Sequence, residues 1–460
     1  MKSVALHNLG CKVNAYEIEV MQQKLEENGF KIVPFAPGAD IYIINTCTVT
    51  NIADRKSRQM LHKAKKMNPQ ALVVATGCYV QTGEETLKMD ECIDLAVGNN
   101  RKKDIVPILE EYLATHKNEK ITPVFDINHT YEYEEMTLKK TADHTRAYIK
   151  IQDGCNQFCS YCIIPYARGR VRSRKKENII HEIEGLVAAG FQEVVITGIH
   201  LSSYGMDFIE KTNSNDTDAS DYLEGAKDLR SAAYQTEFLL NLLKDIHNID
   251  GLSRIRLGSL EPRIITEHFA QELGKMKKIC PHFHLSLQSG CDATLKRMNR
   301  HYSIEEYHSK VLILRKYFTN PAITTDIITG FPGETEDEFM QTAAFAEKVK
   351  FYEMHIFKYS KRQGTVAASM ENQIEEEIKA KRSDILLEMT TKHSKEFREN
   401  LLGTETEILM EEQKNIDGIE YWLGHTMNYV LVACISRENL SNKLITGVPR
   451  AFLRDDILLM

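Results

Sequence analysis

The sequence predicts an α/β protein in three parts: an N-terminal parallel α/β unit, a partial (β/α)6 barrel and a small C-terminal all-β barrel. Three observations predict it. Short apolar runs alternate with helical segments from Lys2 to about Tyr112, the alternation resumes at Arg146, and after one long charged helical stretch the C-terminal residues turn to short strands separated by turns.

In the first part, residues 1–115, the strands are VALHNL, DIYIINT, ALVVAT and DLAVG, with YEIEVMQQKLEENGF, ADRKSRQMLHKAKK and KKDIVPILEEYL as helices. Residues 116–144 are polar, carry the acidic run YEYEE and show no sustained period, so they are expected to be a linker. The barrel is expected over 145–372, on the strands AYIKIQ, EVVITGI, RIRLGS, HFHLSLQ, AITTDII and EMHIFKY. A Ser/Asn/Asp-rich acidic insertion at about 207–235 interrupts it and reads as a solvated loop. Residues 373–460 begin with one long charged helix and continue as the short strands of a β-barrel.

With 42% hydrophobic and 27% charged residues, the chain has the balance of globular material. No apolar run is long enough for a signal peptide or a membrane span, so a cytoplasmic location is expected. Ten cysteines in a reducing compartment are not a disulfide framework; they point to metal or redox chemistry. A net charge of -7 excludes a protein basic all over but leaves room for a local basic patch.

The sharpest motif is GCNQFCSYC, which places Cys155, Cys159 and Cys162 in a CxxxCxxC spacing directly after an expected strand. Three thiolates can hold three irons of a [4Fe–4S] cube and leave the fourth iron open for a substrate. S-adenosylmethionine (SAM) suits that iron: its amino and carboxylate groups can chelate, and an electron from the cluster can break its S–C bond to give a 5′-deoxyadenosyl radical. A structural zinc site would need a fourth ligand, and none stands at suitable local spacing.

A second trio is dispersed. Cys11, Cys47 and Cys78 each follow an apolar strand, in LHNLGC, YIINTC and VVATGC. In a parallel sheet those strand ends share one edge, where ligands of open α/β sheets bind, so the three thiols can converge on one cofactor. Buried structural thiols are the competing reading. Cys92, Cys280, Cys291 and Cys434 stand singly and are expected to be small packing or surface residues, with Cys291 nearest the expected active face.

Taken together, LGCKVN, INTCTVT, TGCYVQ, DGCNQFCSYCIIPYARGR, ITGIHLSSYG, RLGSLEP, LSLQSGCDATLKRMNR and TDIITGFPGET resemble the radical SAM methylthiotransferases over essentially the full length. The resemblance is strongest to the branch that acts on N6-threonylcarbamoyladenosine in tRNA. It implies an auxiliary [4Fe–4S] cluster on Cys11, Cys47 and Cys78, a radical SAM [4Fe–4S] cluster on Cys155, Cys159 and Cys162, and a C-terminal TRAM domain that grips RNA. It further implies methylthiolation of the adenine at tRNA position 37, 3′ of the anticodon, with two SAM per turnover. The alternatives are isopentenyladenosine in tRNA, an aspartate of a ribosomal protein, or an iron–sulfur RNA-binding scaffold without turnover.

Gly198, Glu261 and Gln288, in ITG, SLEP and LSLQ, are the expected SAM contacts, while Asp326 and Gly330 are either site or turn residues. The run ARGRVRSRKK crowds Arg168, Arg170, Arg172 and Arg174 just beyond the cluster loop, where they are expected to contact tRNA phosphates unless they form a solvated charge run. Tyr421, Trp422 and Tyr429 are candidates for stacking on bases or for core packing. The expected partners are the tRNA anticodon loop, a sulfur donor and an electron-donor protein, the chain itself being a monomer.

Overall fold

A computed structural model describes residues 2–83, 87, 89–115, 124–140, 145–212 and 232–460. The N-terminal sheet is parallel, with β1 (Ser3–Asn8), β2 (Lys31–Ile32), β3 (Ile41–Thr46), β4 (Leu72–Gly77) and β5 (Leu95–Val97) in the order β2-β1-β3-β4-β5. Every residue of β3 and β4 is buried, as in a sheet covered on both faces. Alternation divides the coverings: Val4, Ile41, Ile43 and Val74 pack with Tyr16, Val20 and Met21 of helix Lys12–Glu27, whereas Tyr42, Ile44, Val73 and Ala75 pack with Leu61 and Ala64 of helix Asn51–Met67. The first of these cores is continuous with that of the barrel.

The barrel comprises β6 (Arg146–Asp153), β8 (Glu193–Gly198), β9 (Arg254–Leu257), β10 (His282–His284), β11 (Ala322–Thr329) and β12 (Glu353–Lys358), with β7 (Arg172–Ser173) antiparallel on β6. Two parallel arcs, β6-β8-β9 and β10-β11-β12, meet through single parallel bridges such as Ile255–Ile279 and Leu260–Leu285. The six expected barrel strands are therefore those observed.

Helix Glu376–Glu399 leads to the C-terminal sheet of β13 (Thr406–Ile416), β14 (Ile419–Thr426), β15 (Leu431–Cys434), β16 (Leu444–Gly447), β17 (Ala451–Arg454) and β18 (Ile457–Leu459). All its pairings are antiparallel except β15–β18. This sheet closes the amino-terminal end of the barrel. Arg254 donates to the Glu407 and His425 carbonyls (2.9 Å each), and Arg256 donates to the Met427 carbonyl (2.9 Å). The carboxyl ends of the strands are left for chemistry.

The stretch expected to be a linker is instead a packed strap over its described part, 124–140. Ile127, Met136 and Leu138 are buried, the Tyr16 hydroxyl donates to the Met136 carbonyl, and the Leu138 amide donates to Glu182. Single apolar residues filling gaps between helices leave no period to read. At the start of the expected insertion, Asp207 is buried and accepts from the Ser173 amide at 3.1 Å, so the loop does not begin there; residues 213–231 lie outside the described residues.

Candidate active site

β6 ends at Asp153 and the chain turns at Gly154, whose φ is +73° and whose added Cβ would lie 1.8 Å from the Arg170 carbonyl oxygen; only glycine fits. The turn delivers Cys155, whose amide donates to the Gly169 carbonyl at 3.0 Å. Ser160 anchors the loop from below, its amide on the Met298 carbonyl (3.0 Å) and its hydroxyl on that of Arg297 (2.8 Å). Burial, then the neighbouring cysteines, push the Cys162 thiol up to about 12; burial likewise lifts Cys155 to about 11. Arg300 donates to Cys159 Sγ at 3.4 Å.

Cys11, Cys47 and Cys78 follow the carboxyl ends of β1, β3 and β4, which are neighbours in the N-terminal sheet. A Cβ on Gly10 would come within 2.9 Å of Cys47 Cβ, and one on Gly77 within 2.5 Å of the Thr46 carbonyl oxygen. Asn14 ties the loops together by donating to the carbonyls of Leu9 (2.7 Å) and Thr46 (3.0 Å). Burial first, then the charges of Cys78 and Cys11, hold the Cys47 thiol at about 11. All six cysteines are free, and burial raises the thiols of Cys11, Cys47, Cys155 and Cys162, so these four would give up their protons on taking a cation.

Arg168 ties the segment that follows the first trio to a cysteine of the second. It follows the Cys155–Cys162 loop, is fully buried, and donates from Nε to Cys78 Sγ at 3.1 Å. Its other nitrogens reach Glu17 (3.1 Å) and Asp153 (3.3 Å). Lys150 bridges the same carboxylates at 2.7 and 2.6 Å, and Lys102 pairs with Glu17. Burial would raise the Glu17 carboxyl, but Arg168, Lys102 and Lys150 outweigh it and hold it well below the usual carboxylate range.

This corrects the expectation for the basic run. Arg168, Arg172 and Arg174 are buried and do not form a tRNA-facing surface. Arg172 donates to the Arg168 carbonyl at 2.9 Å, and Arg174 pairs with Glu182 and with Glu135. The reason is that the helix ending at Arg168 and the short β7 both lie against β6 and the buried acids beside it. Arg170 alone of the four is exposed, its guanidinium 4.5 Å from the centre of the Phe158 ring.

Gly198, Glu261 and Gln288 all stand at or just beyond the carboxyl ends of their strands. Gly198 has no room for a side chain, since a Cβ would sit 2.9 Å from Gln152 Oε1; Gln288 takes a left-handed φ of +68°. Glu261 accepts from Arg263 Nε at 3.0 Å. Nearby, His200 Nε2 is buried without a hydrogen-bond partner among the described residues, and burial followed by Arg300 and Arg263 lowers its pKa to about 3. An orphaned neutral imidazole among cations suits a polar ligand such as SAM.

Sequence reasoning missed Glu17, Lys12, Arg300 and the lumen histidines His284 and His355. His284 lies 3.2 Å from Asp326 Oδ2 and stacks on His355 with ring centres 5.7 Å apart. Arg300 and Lys12 had a signal, their places in LSLQSGCDATLKRMNR and LGCKVN. Tyr421 and Trp422 are core residues of the C-terminal barrel. Tyr429 is packed against the barrel floor, its ring 4.6 Å from the Arg256 guanidinium and its hydroxyl accepting from Arg146 at 2.9 Å.

A partial six-stranded barrel carrying a three-cysteine loop at the mouth defines a radical SAM protein, and residues 149–346 match the Radical SAM superfamily. Residues 3–98 match the uncharacterized protein family UPF0004. The fold resembles the solved radical S-adenosylmethionine methyltransferase TsrM of Kitasatospora setae, with a TM-score of 0.54 at 15% identity, covering 78% of this chain and 73% of that one.

The chain belongs to the radical SAM tRNA methylthiotransferase family. It is 38% identical to the threonylcarbamoyladenosine tRNA methylthiotransferase MtaB of Bacillus subtilis, covering 97% of this chain and 93% of that protein. It is also 35% identical to the tRNA-2-methylthio-N(6)-dimethylallyladenosine synthase of Carboxydothermus hydrogenoformans, covering 96% of each. Among the described residues no helix is long and apolar enough to cross a membrane.

Proposed function

We propose that this protein methylthiolates C2 of N6-threonylcarbamoyladenosine at tRNA position 37, using Cys155, Cys159 and Cys162 to hold one [4Fe–4S] cluster and Cys11, Cys47 and Cys78 to hold a second. The observation that carries the reading is the pair of cysteine trios, with the buried Arg168 tying the segment after the first to a cysteine of the second. When bound, SAM and the two clusters supply homolytic hydrogen abstraction at the first site and sulfur at the second. C2 of adenine is neither acidic nor nucleophilic, so a purely acid–base site would not serve.

The residues do the positioning. Glu261, Gln288 and the tight backbone at Gly198 form one rim of the barrel mouth, where they would orient SAM beside Cys159. Arg300 and Arg168 each place a cation against a cysteine sulfur of one trio, which lessens the cost of gathering negative charge in a buried place. Arg170 on the outer face meets RNA phosphate. The threonylcarbamoyl substrate is favoured by the LGCKVN, SLEP and CIIPYARGR motifs and by the relatives of that name at 38% identity.

The dimethylallyl substrate is the second reading, supported by relatives of that name at 35% identity. Mass spectrometry of tRNA nucleosides from cells lacking the protein separates the two. Loss of the 2-methylthio form with accumulation of threonylcarbamoyladenosine is the expected result; an unaltered profile for that nucleoside refutes the assignment.

A further inference from the structure

Lys12 stands at the carboxyl edge of the N-terminal sheet, at the start of the helix that meets the barrel. It directly follows Cys11 and opens helix Lys12–Glu27, which packs against β6 and β8. Both Cys11 and Lys12 keep accessible surface, yet the charges that act most strongly on Lys12 are Arg256, Arg146 and Glu193 on the barrel floor. Lys12 therefore stands on the helix that meets the barrel, open to solvent and to a ligand.

Every other cation of that floor is matched. Arg146 pairs with Glu411, Arg254 with Glu407 at 2.9 Å, Arg256 with Glu193 at 2.8 Å, and Lys150, further up the same strand as Arg146, with Asp153 at 2.6 Å. Glu193, an acid whose charge acts on Lys12, is engaged by three arginines, and Asp326 is engaged by His284. Lys12 has no hydrogen bond and no ion pair among the described residues. An exposed ammonium without a counter-ion, beside a floor whose acid Glu193 is already engaged, is open to pair with an anion of the substrate.

The reaction supplies a candidate anion at the right place. In adenine, C2 and C6 are both bonded to N1, so a base presented with C2 to the Cys11 trio carries its N6 substituent along the adjoining edge, where Lys12 stands. We infer that Lys12 reads the carboxylate of the N6-threonylcarbamoyl group and is a specificity-determining residue of this enzyme. The inference rests on the threonylcarbamoyl reading above. A dimethylallyl group in the same place would leave the ammonium unpaired, and a site built to pair a polar group rejects the analogue that lacks it more strongly than an apolar pocket rejects an added polar group.

The test uses the full-length holoenzyme, reconstituted anaerobically, and three anticodon stem-loop RNAs. One carries N6-threonylcarbamoyladenosine, one its methyl ester, and one dimethylallyladenosine; the readout is kcat/KM for the 2-methylthio product by mass spectrometry. The wild-type protein is expected to prefer acid over ester by on the order of tenfold or more. Lys12→Gln should bring that ratio close to one, with Lys12→Arg between them. Because the ratio compares two RNAs on the same preparation, a general loss of activity or iron does not move it. A wild-type ratio of one, or a Lys12→Gln protein that keeps the wild-type ratio, overturns the role of Lys12. Wild-type turnover of the dimethylallyl RNA but of neither threonylcarbamoyl RNA would instead overturn the substrate reading itself.

Discussion

The two cysteine trios are built in opposite ways. Cys155, Cys159 and Cys162 lie on one loop, braced by Gly154 beneath it and by Ser160 against Met298 and Arg297. Cys11, Cys47 and Cys78 lie on three separate strand ends, and their meeting depends on the whole sheet, on two glycines that allow close approach, and on an arginine contributed by the barrel side. A local site survives damage to its surroundings; a dispersed one inherits every weakness of the fold that gathers it. Perturbations at a distance should therefore strip the second trio of its iron before the first.

Arg168→Ala should show the largest effect. It would leave Glu17 and Asp153 short of a buried counter-ion and Cys78 without its donor, a loss of about 3–5 kcal/mol by comparison with other broken buried pairs. The expected protein unfolds at lower denaturant and, reconstituted anaerobically, holds about four irons where the parent holds about eight. Full iron occupancy with parental stability would show that the trios do not depend on this link.

A second test concerns the barrel floor, which supports the strand carrying the first trio. Burial alone would raise the Glu193 carboxyl, but Arg256, then Arg146 and Arg254, outweigh it and bring it to about 2. A carboxyl depressed in the folded state contributes stability above its unfolded pKa, about 4.3, and loses it as pH falls toward 2. The contribution is on the order of 3 kcal/mol. Thermal unfolding of the parent should fall away below about pH 4.5, and Glu193→Gln, less stable at neutral pH, should flatten that acid limb. Parallel pH profiles would remove Glu193 as the cause.

Gly77→Ala sharpens the contrast directly. Its φ of +97° and the 2.5 Å approach to the Thr46 carbonyl leave no place for a methyl group, at a cost of about 1–3 kcal/mol. The change should lower iron at the Cys11 trio while SAM cleavage at the Cys155 trio persists. Cys159→Ala should do the reverse, abolishing SAM cleavage while leaving the auxiliary iron in place.

What could be read from the sequence follows the same division. CxxxCxxC announces itself within nine residues, and the six barrel strands announce themselves by apolar runs, because both are local. The dispersed trio shows in the sequence through the shared position of each cysteine after a strand and through the LGCKVN, INTCTVT and TGCYVQ motifs. The basic run was misread because burial of an arginine depends on its partner, and Glu17, the partner of Arg168, lies 151 residues away. Lys12 stands in the LGCKVN motif, but what distinguishes it is a missing counter-ion, which no window of sequence displays. Tyr429 likewise depends on a barrel floor built from strands more than a hundred residues earlier.

Arg170 carries the smallest expected effect and separates the two duties proposed for the loop, holding a cluster and meeting RNA. Its guanidinium lies over the exposed side of the cluster loop, stacked on Phe158 and free of the buried network that claims Arg168, Arg172 and Arg174. Arg170→Ala takes one cation away from the RNA backbone, which should weaken tRNA binding several-fold near physiological salt and reduce the slope of log K against log salt by about one. The same substitution should leave iron content and thermal stability at parental values, since it breaks only a surface stack worth about 0.5–1 kcal/mol. Binding isotherms at three salt concentrations decide it: an unchanged slope would mean that RNA approaches the barrel mouth by another face.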